Sequence, residues 1–150
     1  LVAPVPAPAG DFAVVLEPRA FTGGAPEDSV LLGRAAGPDE LALAWYNHHF
    51  GTSGADVRAA GRDYGDDVTG GCCAAVTWSP GDRLAVVADH RGSMTSWLGH
   101  QGRWQLLRTI PVGTAVDPQR LAGWSPAIGL RLSSGRLTLD RLTVVARGPA

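Results

Sequence analysis

The sequence predicts an all-β domain made of two antiparallel sheets packed face to face, and three observations carry that prediction. The 150 residues include 20 Gly and 11 Pro, a density of turn formers that cuts the chain into short segments and leaves few windows for a long helix. Between the turns, apolar residues recur at every second position, the period of a half-buried strand. The 3.6-residue period nowhere persists beyond two turns, and Arg120-Leu121-Ala122-Gly123 makes one helical turn at most. About 150 residues bury roughly 70% of the unfolded surface, so one ordinary core suffices without metal or disulfide framework.

Charge and composition exclude several classes of function. A formal net charge of −1 leaves no clustered cations to neutralise phosphates, so no nucleic-acid partner is expected. No run of 18 apolar residues offers a membrane span, and 45% hydrophobic residues argue against disorder. All 13 basic residues are Arg; spread along the chain, they read as the translation of a GC-rich genome of the actinobacterial sort.

The elements follow in order. Residues 1–10 alternate Pro with small residues and read as an extended, polyproline-like linker or mature N-terminus; 148–150 form a short tail, and 11–147 the sandwich. Phe12, Val14 and Leu16 share one phase of a strand that Pro18 should end. From Glu40 to Asn47, Leu41, Leu43 and Trp45 lie on one face and Ala42, Ala44 and Tyr46 on the other; the small-residue face is where something else should come close. Ala74–Trp78 and Leu84–Asp89 flank Ser79-Pro80-Gly81-Asp82, a turn with Pro preset at its second position, and could pair as a hairpin. Ser93–Leu98 and Arg103–Arg108 flank a Gly-bearing turn. Ala127–Leu132 buries Ile128, Leu130 and Leu132. In the last strand Leu137 and Leu139 keep one phase and Leu142 and Val144 the other, which calls for a β-bulge near Asp140-Arg141.

Several of these features together resemble the concanavalin A-like lectin/glucanase superfamily, closest to its laminin-G-like and carbohydrate-binding branches. They are Trp78-x-Pro80-Gly81-Asp82-x-Leu84-x-Val86, a strand ending in Trp97, a Gly turn before Trp104, and Gly123 and Gly129-Leu130 ahead of a long terminal strand. The resemblance covers roughly residues 10–147. It implies a jelly roll whose closing strand pairs near the N-terminal one, but no particular activity, because this fold hosts glycosidases, lyases, lectins and structural modules.

The residue types then narrow the function. A glycosidase of this fold needs two carboxylates flanking the bond, yet the only glutamates, Glu17, Glu27 and Glu40, stand in no such motif. Sugar rings stack their C–H faces on aromatic planes while their hydroxyls take hydrogen bonds. Tyr46, Asn47, His48, Arg58 and Tyr64 supply those groups around one hairpin. Phase assigns Trp45 and Trp104 to the core and Trp97 to the surface, and Trp78 and Trp124, which adjoin Ser-Pro turns, are placed at the surface with it; Trp97 joins the candidate ligand contacts. A uronate lyase would need His48 or Tyr46 beside Arg58. Asp63, Asp66 and Asp67 form an acidic loop, either a calcium site or an ordinary solvated turn; no other cofactor is implied. Adjacent Cys72 and Cys73 are either two small thiols opening a strand or a vicinal disulfide, and do not fix the compartment.

The expected function is a non-catalytic carbohydrate-binding or accessory module of a secreted or cell-surface polysaccharide-active protein, with carbohydrate or a neighbouring catalytic domain as partner. A structural domain packed on a catalytic neighbour, which should show an exposed apolar patch, and a small lyase are the alternatives.

Overall fold

The computed structural model describes residues 2–5, 10–22 and 25–147. They form two antiparallel sheets. The first is ordered β1 (Val2–Pro4), β11 (Ser125–Arg131), β3 (Ser29–Gly37), β4 (Glu40–Asn47), β5 (Thr52–Ala59) and β6 (Arg62–Asp63), with β7 (Ala74–Ala75) also paired to β5. The second is ordered β10 (Arg103–Pro111), β9 (Ser93–His100), β8 (Arg83–Ala88), β2 (Asp11–Thr22) and β12 (Arg136–Arg147). Two five-residue helices, α1 (Gly65–Thr69) and α2 (Pro118–Ala122), cover gaps at the ends. α2 starts as its sequence dictates: the Asp117 carboxylate accepts from the Gln119 amide, Pro118 opens the first turn, and Leu121 is buried.

The sandwich core lies between the sheets. Phe12, Val14 and Leu16 of β2, Leu84 and Val86 of β8, and Met94 and Leu98 of β9 meet Val30, Leu32, Ala42, Ala44, Tyr46 and Val57 of the first sheet. Each such Val, Leu, Met or Phe side chain contributes roughly 1.5–3 kcal/mol on burial, against the entropy of ordering the chain. The expected jelly roll is therefore the observed architecture, and β12 returns to pair with β2 along its length.

Local expectations fared unevenly. The register of β12 against β2 shifts between Thr138 and Leu139 and again before Arg141, so the phase change in the leucines is a bulge. Pro18 does not end β2; it pairs opposite Leu139 within the shifted stretch, where a missing amide donor costs least. The 74–78 and 84–89 segments do not form a hairpin, because β7 pairs with β5 in one sheet while β8 sits in the other. Their Pro-Gly turn carries the chain between sheets. Val2–Pro4 are not a free arm but pair with β11; residues 6–9 and 148–150 lie outside the described residues. β3 was not anticipated, because its all-apolar Val30–Leu32 run and Gly33-Arg34 break the alternation.

The tryptophan assignment is reversed by the packing. Trp78 and Trp124 are buried, Trp104 is exposed on the second sheet, and Trp45 is half-buried on the outer face of the first. Large residues at 41, 43 and 45 point outward, and the small face at 42 and 44 points into the core because Tyr46, Leu32 and Leu84 already fill it.

Candidate functional site

The outer face of the seven-stranded sheet carries a two-part trough. Its rows follow from the register: Gly129, Leu31, Trp45 and Gly54 stand side by side, as do Ala127, Gly33, Leu43 and Asp56, then Ser125, Ala35, Leu41 and Arg58. Glycine and alanine on the central strands leave room above the sheet, and Leu31, Leu41 and Leu43 form an apolar floor. One groove of about 580 Å³ runs over Leu31, Leu41 and Leu43 to Arg58 and Arg131. A second of about 460 Å³ runs over Trp45 and Gly54 to Asp63, Thr69 and Cys72. Asp56 and Arg131 line both.

Two ion pairs edge the trough. Arg131 on β11 reaches Asp56 on β5 at 2.8 Å, passing over β3 and β4. Three inter-strand steps of ~4.8 Å separate those strands, so the contact requires a sheet that curves and twists with this face inward. Arg58 stands 3.6 Å from Asp63. All four side chains are at least partly exposed, and such pairs contribute no more than about 1 kcal/mol. A ligand can therefore take over their donors and acceptors at small cost. Trp45 supplies the aromatic surface: its ring lies so close over Gly54 that a Cβ there would sit 2.3 Å from Cζ2. One side of the indole is pinned to the sheet and the other faces the groove.

The residues named from sequence scatter. Tyr46 is a correction: it is fully buried between the sheets, its hydroxyl donates to the Ala85 carbonyl at 2.7 Å, and burial raises its pKa. A period-two strand turns Tyr46 away from Trp45, so it offers nothing to a surface ligand. Asn47 is also buried and serves the β4–β5 turn, donating to Pro26 O and accepting from the Phe50 amide. His48 is exposed but packs its ring on Trp78 and Phe21 at 4.6 and 5.0 Å. Tyr64 lies half-buried beneath the Arg62 guanidinium. Trp97 sits on the outer face of the other sheet, its Nε1 donating to Thr95. Among the described residues of that set, only Arg58 and Asp63 line the trough. His48 and Tyr46 do not converge with Arg58, so the constellation that the lyase alternative needs is not assembled. Asp63 is spent on Arg58 and on the Gly65 amide; the side chains of Asp66 and Asp67 lie outside the described residues, among which no cluster of three metal-ligating groups occurs. Cys72 and Cys73 are joined as a vicinal disulfide.

Trp45, Asp56 and Arg131 were missed. Their signal was present as Gly33 and Gly54 inside strand-length segments, since glycine within a strand marks close approach of another group.

Neither a protein-family model nor a characterised protein matches the chain by sequence. Among solved structures, a sheep galectin-11 complex with glycerol superposes with a TM-score of 0.56 at 10% identity, covering 97% of this chain and 96% of the galectin. The chain shares with that galectin the fold of a two-sheet antiparallel β-sandwich. An alginate lyase of Pseudomonas aeruginosa is more distant, with a TM-score of 0.44 at 15% identity over 93% of this chain and 66% of the lyase. No helix among the described residues is long and apolar enough to cross a membrane.

Proposed function

We propose that this concanavalin A-like domain is a carbohydrate-binding module, and that it holds glycan in the trough on the outer face of the seven-stranded sheet. The observation that carries the reading is Trp45, half-buried at the floor and flanked by the Arg131–Asp56 pair. Stacking on the indole satisfies the C–H face of a pyranose, while guanidinium donors and carboxylate acceptors at the lips satisfy its hydroxyls. The galectin-like fold supports the reading. We further propose that the module belongs to a secreted polysaccharide-active protein. Affinity electrophoresis in gels cast with alginate, xylan or laminarin tests the site. Trp45→Ala and Arg131→Gln lose retardation, whereas Trp97→Ala keeps it; a Trp45→Ala chain retarded like wild type defeats the assignment.

A second reading, a structural role against a neighbouring catalytic domain, is favoured by the other sheet. Val145, Leu106, Val87 and Trp104 are exposed on its outer face, a larger apolar display than an isolated surface residue. Size-exclusion chromatography of the chain with Leu106→Asp tests it: self-association or stickiness that the substitution does not reduce counts against that face.

A further inference from the structure

We propose that the Cys72–Cys73 disulfide shapes one wall of the trough and that its reduction weakens glycan binding, making the site responsive to thiols. The inference rests on the carbohydrate reading above. It starts from position: Cys72 lines the Trp45 groove together with Thr69 and Gly71, and both cysteines line a hollow on the far side of the same loop, against Leu107, Arg108 and Thr109. The wall is thus a thin ribbon, open on both sides, with both cysteines exposed and reachable by a small dithiol.

The ribbon has little else to fix it. Gly70 and Gly71 adopt φ of 68° and 120°, conformations that glycine enters freely and leaves as freely. The Thr69 hydroxyl lies 2.8 Å from both the Gly65 and the Gly71 carbonyl oxygens, but it has one proton to donate. Arg108 Nη2 donates to Thr69 O and Gly71 O at 2.7 and 3.2 Å, anchoring the segment just before the cysteines. From Cys72 to β7 the constraint is covalent: an eight-membered ring of two Cα, two Cβ, two sulfurs and the intervening peptide carbon and nitrogen. Exchange with a dithiol breaks the S–S bond and forms two S–H groups, while the dithiol gives up two electrons and two protons and becomes a cyclic disulfide. The opened Gly-Gly-Cys-Cys segment then explores conformations that no longer present the wall, and a ligand must order it again on binding.

Affinity electrophoresis of the full chain in alginate, xylan and laminarin gels, with and without dithiothreitol, tests this beside the Cys72→Ser/Cys73→Ser double variant. The expected result is roughly tenfold weaker retardation for both the reduced chain and the variant, the scale of ordering one residue's backbone, with thermal unfolding still cooperative. Reoxidation of the wild type restores binding, and the double variant ignores dithiothreitol. Unchanged retardation on reduction, alongside loss in Trp45→Ala, overturns this inference and leaves the glycan site standing. Loss of binding together with loss of cooperative unfolding also overturns it, because the disulfide then staples the fold and not the site. No retardation of the oxidised chain in any gel overturns both proposals.

Discussion

A single methyl group added at Gly54 tests the trough directly. An ideal Cβ there would stand 2.3 Å from Trp45 Cζ2 and 2.6 Å from Cε2, whereas carbon atoms in contact prefer about 3.5–4.0 Å. The ring must withdraw by more than ~1 Å, and its free direction is towards the groove. Overpacking of this kind costs about 1–3 kcal/mol, which for a domain of this size lowers Tm by about 2–12 °C. The displaced indole no longer forms a flat floor, so retardation by the best polysaccharide falls at least about tenfold, or 1.4 kcal/mol. Gly33 supplies the contrast. Its added Cβ would meet the Ala42 carbonyl oxygen at 2.1 Å and Leu43 Cα at 2.9 Å, both backbone atoms in a strand paired to β3. No side chain can swing aside, so β3 and β4 must part, at a cost comparable with the ~5–15 kcal/mol that holds a domain together. Far-UV circular dichroism melts and affinity electrophoresis of Gly54→Ala and Gly33→Ala read both effects. A Gly54→Ala chain with wild-type binding, or a Gly33→Ala chain as stable as Gly54→Ala, refutes the reasoning.

Tyr46→Phe removes the buried hydroxyl bond to Ala85 O and should cost about 1–3 kcal/mol in urea unfolding, without altering retardation beyond that loss of folded chain. Arg131→Gln should do the reverse, moving stability by no more than about 1 kcal/mol while abolishing retardation. Asp28 accepts from the amides of Ser133, Gly135 and Ala25, and the Ser133 amide above all holds its carboxyl below the ordinary 3.8. A depressed carboxylate stabilises the fold above its unfolded pKa and loses that contribution as pH falls through the folded one. Thermal melts from about pH 5 down to about pH 2 should therefore show a shallower acid decline in Asp28→Asn than in wild type.

The sandwich was legible because its signal is repeated: many short alternating segments, each bounded by Gly or Pro, agree on the same architecture. The site was legible only in part, and the reason lies in β4. Alternation correctly separated Leu41, Leu43 and Trp45 from Ala42, Ala44 and Tyr46, yet it cannot say which set faces the second sheet. Size suggested that leucines and tryptophan go inward. The curved outer face instead gathers them into its own apolar floor with Leu31 and Ala127, while Tyr46 fills the core and finds a carbonyl for its hydroxyl. Arg34 shows the same limit of alternation. A charged residue in mid-strand reads as outward, but it is buried, stacked on Phe12 and within 3.5 Å of the Asp89 and Gly10 carbonyls, and burial lowers its pKa despite nearby Asp89 and Asp11. Asp56 and Arg131 lie on strands far apart in sequence, and only the fold brings them together.

The long pairing of β12 with β2, which sets Arg147 opposite Asp11, also governs how the chain can acquire its shape. β2 sits between β8 and β12, so one of its two flanks stays unpaired until synthesis has delivered residues 136–147. Contacts spanning nearly the whole sequence make for slow folding, on the millisecond-to-second scale of all-β sandwiches. During that interval an apolar strand edge stands open to neighbouring nascent chains. Yield in a heterologous host should accordingly depend more on temperature and synthesis rate than on the stability of the finished domain.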